Sequence, residues 1–169
     1  MSKLQEDLRI DPQIKAKFGD FGQAQAPNVS SRAEVLAMFE TPEGKAMIEM
    51  QSQFFRTTAS EEIAPSKGLL VRTETFASAP DGNQVKILFI RPEGKETLPC
   101  VYYTHGGGMA FLSAYDDNYQ AWGRIIAAQG VAVAMVDFRN SLVASSAPEV
   151  APYPAGLNDC VAGLEWVHA

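Results

Sequence analysis

The chain has 169 residues, 46% of them hydrophobic and 20% charged. That fits one folded domain with a real core and excludes an intrinsically disordered chain. A net charge of −6 argues against nucleic acid and anionic membrane surfaces as partners. No apolar run approaches the roughly 18 residues of a membrane span. The opening stretch, MSKLQEDLRIDPQIK, is polar and acidic, unlike a secretory signal, so the cytoplasm is the expected compartment. Cys100 and Cys160 have no spacing that suggests a disulfide or a metal site and are expected to be buried reduced thiols.

Residues 1–66 contain no strand pattern. Asp11-Pro12 has the form of an N-cap followed by proline at the first helical position. Ser31 to Glu34 fits a capping box, with Val35, Met38 and Phe39 on one helical face behind it. Thr41-Pro42-Glu43 restarts a helix in which Ala46, Met47, Met50 and Phe54 recur at helical spacing. Short amphipathic helices rich in Met and Phe serve equally as ordinary packing or as an adaptable cover over an apolar pocket.

From Leu69 the period changes to two. Val71, Thr73 and Thr75 alternate with Arg72, Glu74 and Phe76, and a turn follows at Ala79-Pro80-Asp81-Gly82. Val85, Ile87 and Phe89 alternate again up to Pro92, which predicts an antiparallel hairpin. Glu93 to Thr97 is a solvated loop. A short apolar strand, Cys100 to Thr104, then runs into His105, Gly106, Gly107, Gly108 and Met109. Three glycines in a row weaken a strand and pack nothing. They offer bare N–H groups at a strand exit, an arrangement suited to a developing negative charge.

Ser113 to Gln129 reads as a helix with Asp116 and Asp117 in its first turn, a buried stripe of Tyr115, Tyr119, Trp122 and Ile126, and Gly130 at its end. Val131 to Val136 is almost wholly apolar, which predicts a strand covered on both faces and hence parallel. Asn140 to Pro154 is a Ser/Ala/Pro-rich loop. Pro154 to Ala169 begins a helix in which Leu157, Val161, Leu164 and Val167 or His168 share a face, and that pattern is expected to continue past Ala169.

A strand followed by HGGG resembles the oxyanion-hole signature of α/β-hydrolase lipases and esterases, in the form used by the bacterial hormone-sensitive lipase-like branch. A second match supports it: Val136-Asp137-Phe138-Arg139, then Ala147-Pro148-Glu149, then Pro152 to Asp159. The chain departs from that pattern at Asn140-Ser141, in an inserted Ser/Ala-rich segment, and at Tyr153, where the family has Phe.

The resemblance implies the N-terminal half of an α/β-hydrolase sheet: an antiparallel hairpin, then parallel strands flanked by helices. Residues 1–66 would form a helical cap and residues 67–169 the first half of the core. Gly107 and Gly108 would donate to the oxyanion, with Gly106 shaping the turn or contributing. His105 comes too early to be the catalytic base and would instead hold the glycine loop through its ring. Asp137, Arg139 and Asp159 would form a structural polar network under the site, and Met109, Phe39, Met38 and Met47 would face substrate. His168 would be a helix-face residue. No serine has glycine two before and two after it.

The nucleophile, acid and base are therefore expected on a C-terminal half, as a second chain or a continuation. Without it, the Val101-Tyr102-Tyr103 edge would be unpaired and the chain would not fold stably alone. The implied activity is a serine carboxylesterase acting on short to medium acyl esters of small molecules through an acyl-serine, with no cofactor and no metal. The alternatives are a non-catalytic small-molecule receptor on the same fold and an inactive truncated product. A homodimer is among the assemblies the sequence leaves open.

Overall fold

The computed structural model describes residues 3–18, 28–57, 59–147 and 149–169. The chain divides into two compact units, Met1–Val35 and Leu36–Ala169. In the first unit lie α1 (Lys3–Glu6) and α2 (Pro12–Phe18). Asp11 caps α2, its Oδ1 accepting the Gln13 N–H at 2.7 Å. The predicted capping box forms in part, with the reciprocal bond displaced by one residue from Ser31 to Ser30. Ser31 Oγ accepts the Glu34 N–H at 3.3 Å, and Glu34 Oε2 reaches back to the Ser30 N–H at 2.7 Å. These bonds open α3 (Arg32–Glu40), which runs on into the second unit.

The second unit continues with α4 (Pro42–Thr57), β1 (Leu69–Ala77), β2 (Gln84–Pro92), β3 (Cys100–Thr104), α5 (Asp117–Ala127), β4 (Ala132–Asp137) and α6 (Ala155–His168). Thr41 Oγ1 caps α4 through the Gly44 N–H at 3.0 Å. The strands form one mixed sheet in the order β1-β2-β4-β3. β1 and β2 make the predicted hairpin, with Val71 opposite Ile90 and Phe76 opposite Val85. β4 is antiparallel to β2 and parallel to β3, with Val133 opposite both Ile90 and Val101.

Every residue of β4 is buried, because helices cover both faces of the sheet at its centre. On one face Phe76, Val85, Ile87, Ala134 and Val136 pack with Phe138 and with Cys160, Ala162 and Val167 of α6. On the other face Leu88, Ile90, Val133 and Met135 pack with Ala127, Ile126 and Tyr119 of α5. Each Val, Ile, Leu or Met buried this way contributes about 1.5–3 kcal/mol. The helices approach closely because glycines face the sheet. A Cβ on Gly123 would stand 2.7 Å from Met135 Sδ, and one on Gly163 would stand 2.6 Å from Tyr102 Oη.

Several expectations are corrected. α5 starts at Asp117, four residues later than predicted, because Ser113 to Asp116 forms a turn closed by the Asp116 N–H to Ser113 carbonyl bond at 3.1 Å. Trp122 is not in its buried stripe but 47% exposed; Ala121, Gly123 and Ala127 are buried instead. On α6, Leu157, Val161 and Leu164 share an exposed face, while Gly156, Asp159 and Gly163 are buried. Cys100 is exposed rather than buried. β3 lies at the sheet edge and has no second strand partner among the described residues, leaving Val101 exposed.

Candidate active site

The chain leaves β3 through His105 to Leu112 and reaches α5 through the 113–116 turn. Backbone conformation sets this passage apart. Gly107 and Gly108 have φ of +107° and +62°, and Met109 and Leu112 follow at +56° and +75°. Left-handed φ costs a non-glycine residue about 1–2 kcal/mol, so Met109 and Leu112 must be held from outside. The 140–143 segment holds them. Met109 O accepts the Ser141 N–H at 2.9 Å, Ala110 O accepts the N–H groups of Leu142 and Val143, and Leu112 O accepts Asn140 Nδ2–H at 2.7 Å. Only glycine fits at 107: an added Cβ would run into the Phe111 carbonyl oxygen.

The three glycine N–H groups differ. That of Gly106 donates to Tyr119 Oη at 2.9 Å. Those of Gly107 and Gly108 have no acceptor among the described residues. The Gly106 carbonyl lies 2.8 Å from His105 Nδ1. A carbonyl only accepts, so the Nδ1 proton is assigned to this bond. The His105 side chain is fully buried, with its ring stacked on Phe138 at 4.2 Å and 3°. Burial pushes its pKa down, which outweighs the raising effects of the Gly106 bond and of Asp137. His105 is therefore neutral at pH 7 and donates from Nδ1 to the loop.

Asp137 lies behind the loop. Its Oδ1 accepts Ser113 Oγ–H at 2.7 Å and the Ala114 N–H at 2.8 Å, and its Oδ2 accepts the Ser146 N–H at 2.8 Å. Its Oδ1 is 3.8 Å from His105 Nε2. Asp137 thus ties the exit of the glycine loop to the 146 segment. It does not join Arg139, which turns to Asp159 instead. Asp159 Oδ2 accepts Arg139 N–H and Nε–H at 3.0 and 2.9 Å, and Asp159 Oδ1 accepts Nη2–H at 2.8 Å. Asp81 adds a bond from Arg139 Nη1 at 2.6 Å, with Glu149 at 3.6 Å. Hydrogen bonding to Asp159, first, and then to Asp81 raises the Arg139 pKa further. The polar network is thus two clusters, not one. Pro148, in the middle of the Ala-Pro-Glu motif, lies outside the described residues.

Of the residues expected to face substrate, Phe39 on α3 comes to the loop, its ring 6.4 Å from that of Phe111. Met109 sits within the loop and is 36% exposed; Met38 and Met47 are exposed on α3 and α4. His168 is exposed at the end of α6. Four residues of the assembly were not given a role at the site from the sequence: Tyr119, Asn140, Ser113 and Asp81. Only Asp81 carried a usable signal, as an acid in a turn beside a strand pattern. Among the described residues, no group of three or more His, Cys, Asp or Glu side chains could hold a metal ion, and no helix is long and apolar enough to cross a membrane.

No protein-family model matches the chain. Solved structures do. Esterase Est22 is 54% identical with a TM-score of 0.93, over 98% of this chain and 48% of that one. Brefeldin A esterase, a bacterial homologue of human hormone sensitive lipase, is 31% identical with a TM-score of 0.74, over 98% of this chain and 45% of that one. Carboxylesterase NlhH of Mycobacterium tuberculosis is 38% identical over 76 residues, which is 45% of this chain and 21% of that protein. The chain thus spans about half the length of the solved structures it matches. It is similar to the N-terminal portion of hormone-sensitive-lipase-like esterases, and its sheet and helices form part of an α/β-hydrolase fold.

Proposed function

We propose that this chain, with its likeness to hormone-sensitive-lipase-like esterases, supplies the oxyanion-hole side of a carboxylic ester hydrolase acting on small-molecule esters. The observation that carries this reading is the peptide edge of Gly107 and Gly108, two N–H groups without acceptors among the described residues, at the exit of β3. Ester hydrolysis by a serine enzyme passes through a tetrahedral oxyanion. Donors already fixed in place stabilise that charge without reorganising, and losing one costs roughly 3 kcal/mol in the barrier. The positive φ values and the bonds from residues 140–143 support such fixation.

The nucleophilic serine, the acid and the base lie, on this reading, on further polypeptide, and the reaction runs through an acyl-serine. The edge of β3, without a second strand partner among the described residues, and the exposed Leu157, Val161 and Leu164 on α6 support a second half that packs there. The helices before β1 act as the cap, with Phe39, Met38, Met47 and Met109 toward short to medium acyl groups. The contact of Phe39 with Phe111 supports this placement for Phe39. The cytoplasm is the proposed compartment. The test is hydrolysis of p-nitrophenyl acetate and butyrate by the complete protein, meaning this chain with its second half. Turnover that a serine-directed phosphonate abolishes is expected; no turnover of either ester refutes the reading.

A further inference from the structure

We propose that Tyr119 is a positioning residue for ester hydrolysis: its hydroxyl takes the Gly106 N–H out of the oxyanion hole and so aims the N–H groups of Gly107 and Gly108. This rests on the proposed esterase reading.

The Gly106 residue is held from both sides. Tyr119 Oη accepts its N–H at 2.9 Å, and His105 Nδ1–H donates to its carbonyl at 2.8 Å. The two clamping rings also touch each other, with centroids 5.6 Å apart. Tyr103 on β3 lies beside Tyr119, its ring 6.3 Å away, outside the clamp on Gly106. A Cβ on Gly106 would stand 2.6 Å from Tyr119 Oη, so glycine at 106 is what lets the hydroxyl reach the backbone. The carbonyl of Gly106 belongs to the same peptide unit as the N–H of Gly107. The His105 bond holds that plane and the Tyr119 bond holds the preceding His105–Gly106 plane, so together they set the Gly106 torsions and the direction in which the Gly107 N–H points. Glycines 107 and 108 have no Cβ to restrict their backbone, and this clamp is what precedes them. Tyr119 lies on α5, a helix packed on the sheet, so the clamp rests on the rigid part of the fold rather than on a loop.

The experiment uses the complete protein and three forms: wild type, Tyr119→Phe and, as control, Tyr103→Phe, which removes a neighbouring hydroxyl that does not bond Gly106. With wild type active, Y119F is expected to lower kcat about tenfold, the value of one hydrogen bond, with KM within about twofold and Tm close to that of Y103F. Y103F is expected to keep wild-type kcat. Equal kcat for Y119F and wild type, or an equal loss in Y103F, overturns the proposal. A wild type without turnover refutes the esterase reading instead. A second measurement needs no variant. Amide hydrogen exchange in the wild-type protein should find Gly106 protected and Gly107 and Gly108 fast; Gly106 exchanging as fast as its neighbours also overturns the proposal.

Discussion

Replacing Asp159 by alanine should destabilise the protein more than any other change in the polar network. Asp159 is fully buried and accepts three N–H groups from Arg139. Without it, a guanidinium whose side chain is 1% exposed keeps only Asp81 and Glu149, whose side chains are 49% and 54% exposed. A buried charge that loses its buried partner costs about 3–5 kcal/mol. Against a total stability of about 5–15 kcal/mol for a domain, that is a large part of the whole. Asp81→Ala removes a partner that water can replace, so its loss should be clearly smaller. A double replacement, Arg139→Met with Asp159→Leu, removes both charges and should lose less than Asp159→Ala alone. The assay is urea unfolding of the complete protein followed by tryptophan fluorescence. Trp166 stacks on Phe76 at 6.1 Å on the same helix as Asp159, so it reports on this region. The reasoning fails if Asp159→Ala loses no more than Asp81→Ala, or if the double variant loses as much as Asp159→Ala or more.

Three further outcomes follow from particular contacts. Gly163→Ala improves helix propensity by about 1 kcal/mol, yet the new Cβ would meet Tyr102 Oη, which is held by its bond to the Cys160 carbonyl at 2.7 Å; the net change should be a loss of about 1–3 kcal/mol, and a raised Tm would contradict it. His105 has a folded pKa below its ordinary 6.5, so the unfolded chain binds more protons as the medium acidifies. The contribution of His105 is then complete above about pH 6.5 and lost as pH falls below it, and urea midpoints that do not decline between pH 7 and 5 more in wild type than in His105→Gln would refute this. Burial, and to a lesser degree Asp159, pushes the Cys160 thiol up to about 12, so in a Cys100→Ser protein at pH 8 a thiol reagent should label Cys160 only after denaturation; prompt labelling of the native protein would count against the packing described.

The parts of the fold that rest on local rules were legible in the sequence. Alternation and the Asp81-Gly82 turn predicted the β1–β2 hairpin, the apolar run predicted a strand covered on both faces, and the Ser31–Glu34 pattern predicted a helix start. β4 is parallel to β3, as its apolar run suggested, but antiparallel to β2, which burial on both faces does not reveal. Periodicity failed where a helix has two apolar faces. On α6 it selected Leu157, Val161 and Leu164, but the sheet takes the side with Gly163, Ala162 and Cys160. Small residues there allow close approach, and Asp159 must reach Arg139. Trp122 on α5 was misplaced for a similar reason, since Gly123 and Ala127 fit against Met135 and Ile90 where an indole would not.

The site shows the same division. The run of glycines after a strand is visible in one dimension, and so is the need to pair the buried charges. What pairs with what is not visible. Asp137 and Arg139 are two residues apart yet serve different clusters, and Arg139 meets Asp81 across a separation of 58 residues. The Tyr119 bond to Gly106 and the Asn140 bond to Leu112 depend on how α5 and the 140–143 loop close over the glycines. No periodicity or motif encodes those distances.

The central claim is tested most directly by a crystal structure of the complete protein inactivated by a phosphonate ester. The phosphonyl oxygen should lie about 3 Å from the backbone nitrogens of Gly107 and Gly108, with Gly106 still donating to Tyr119. An oxygen held by other donors, with the 107 and 108 N–H groups turned away from it, would contradict the account.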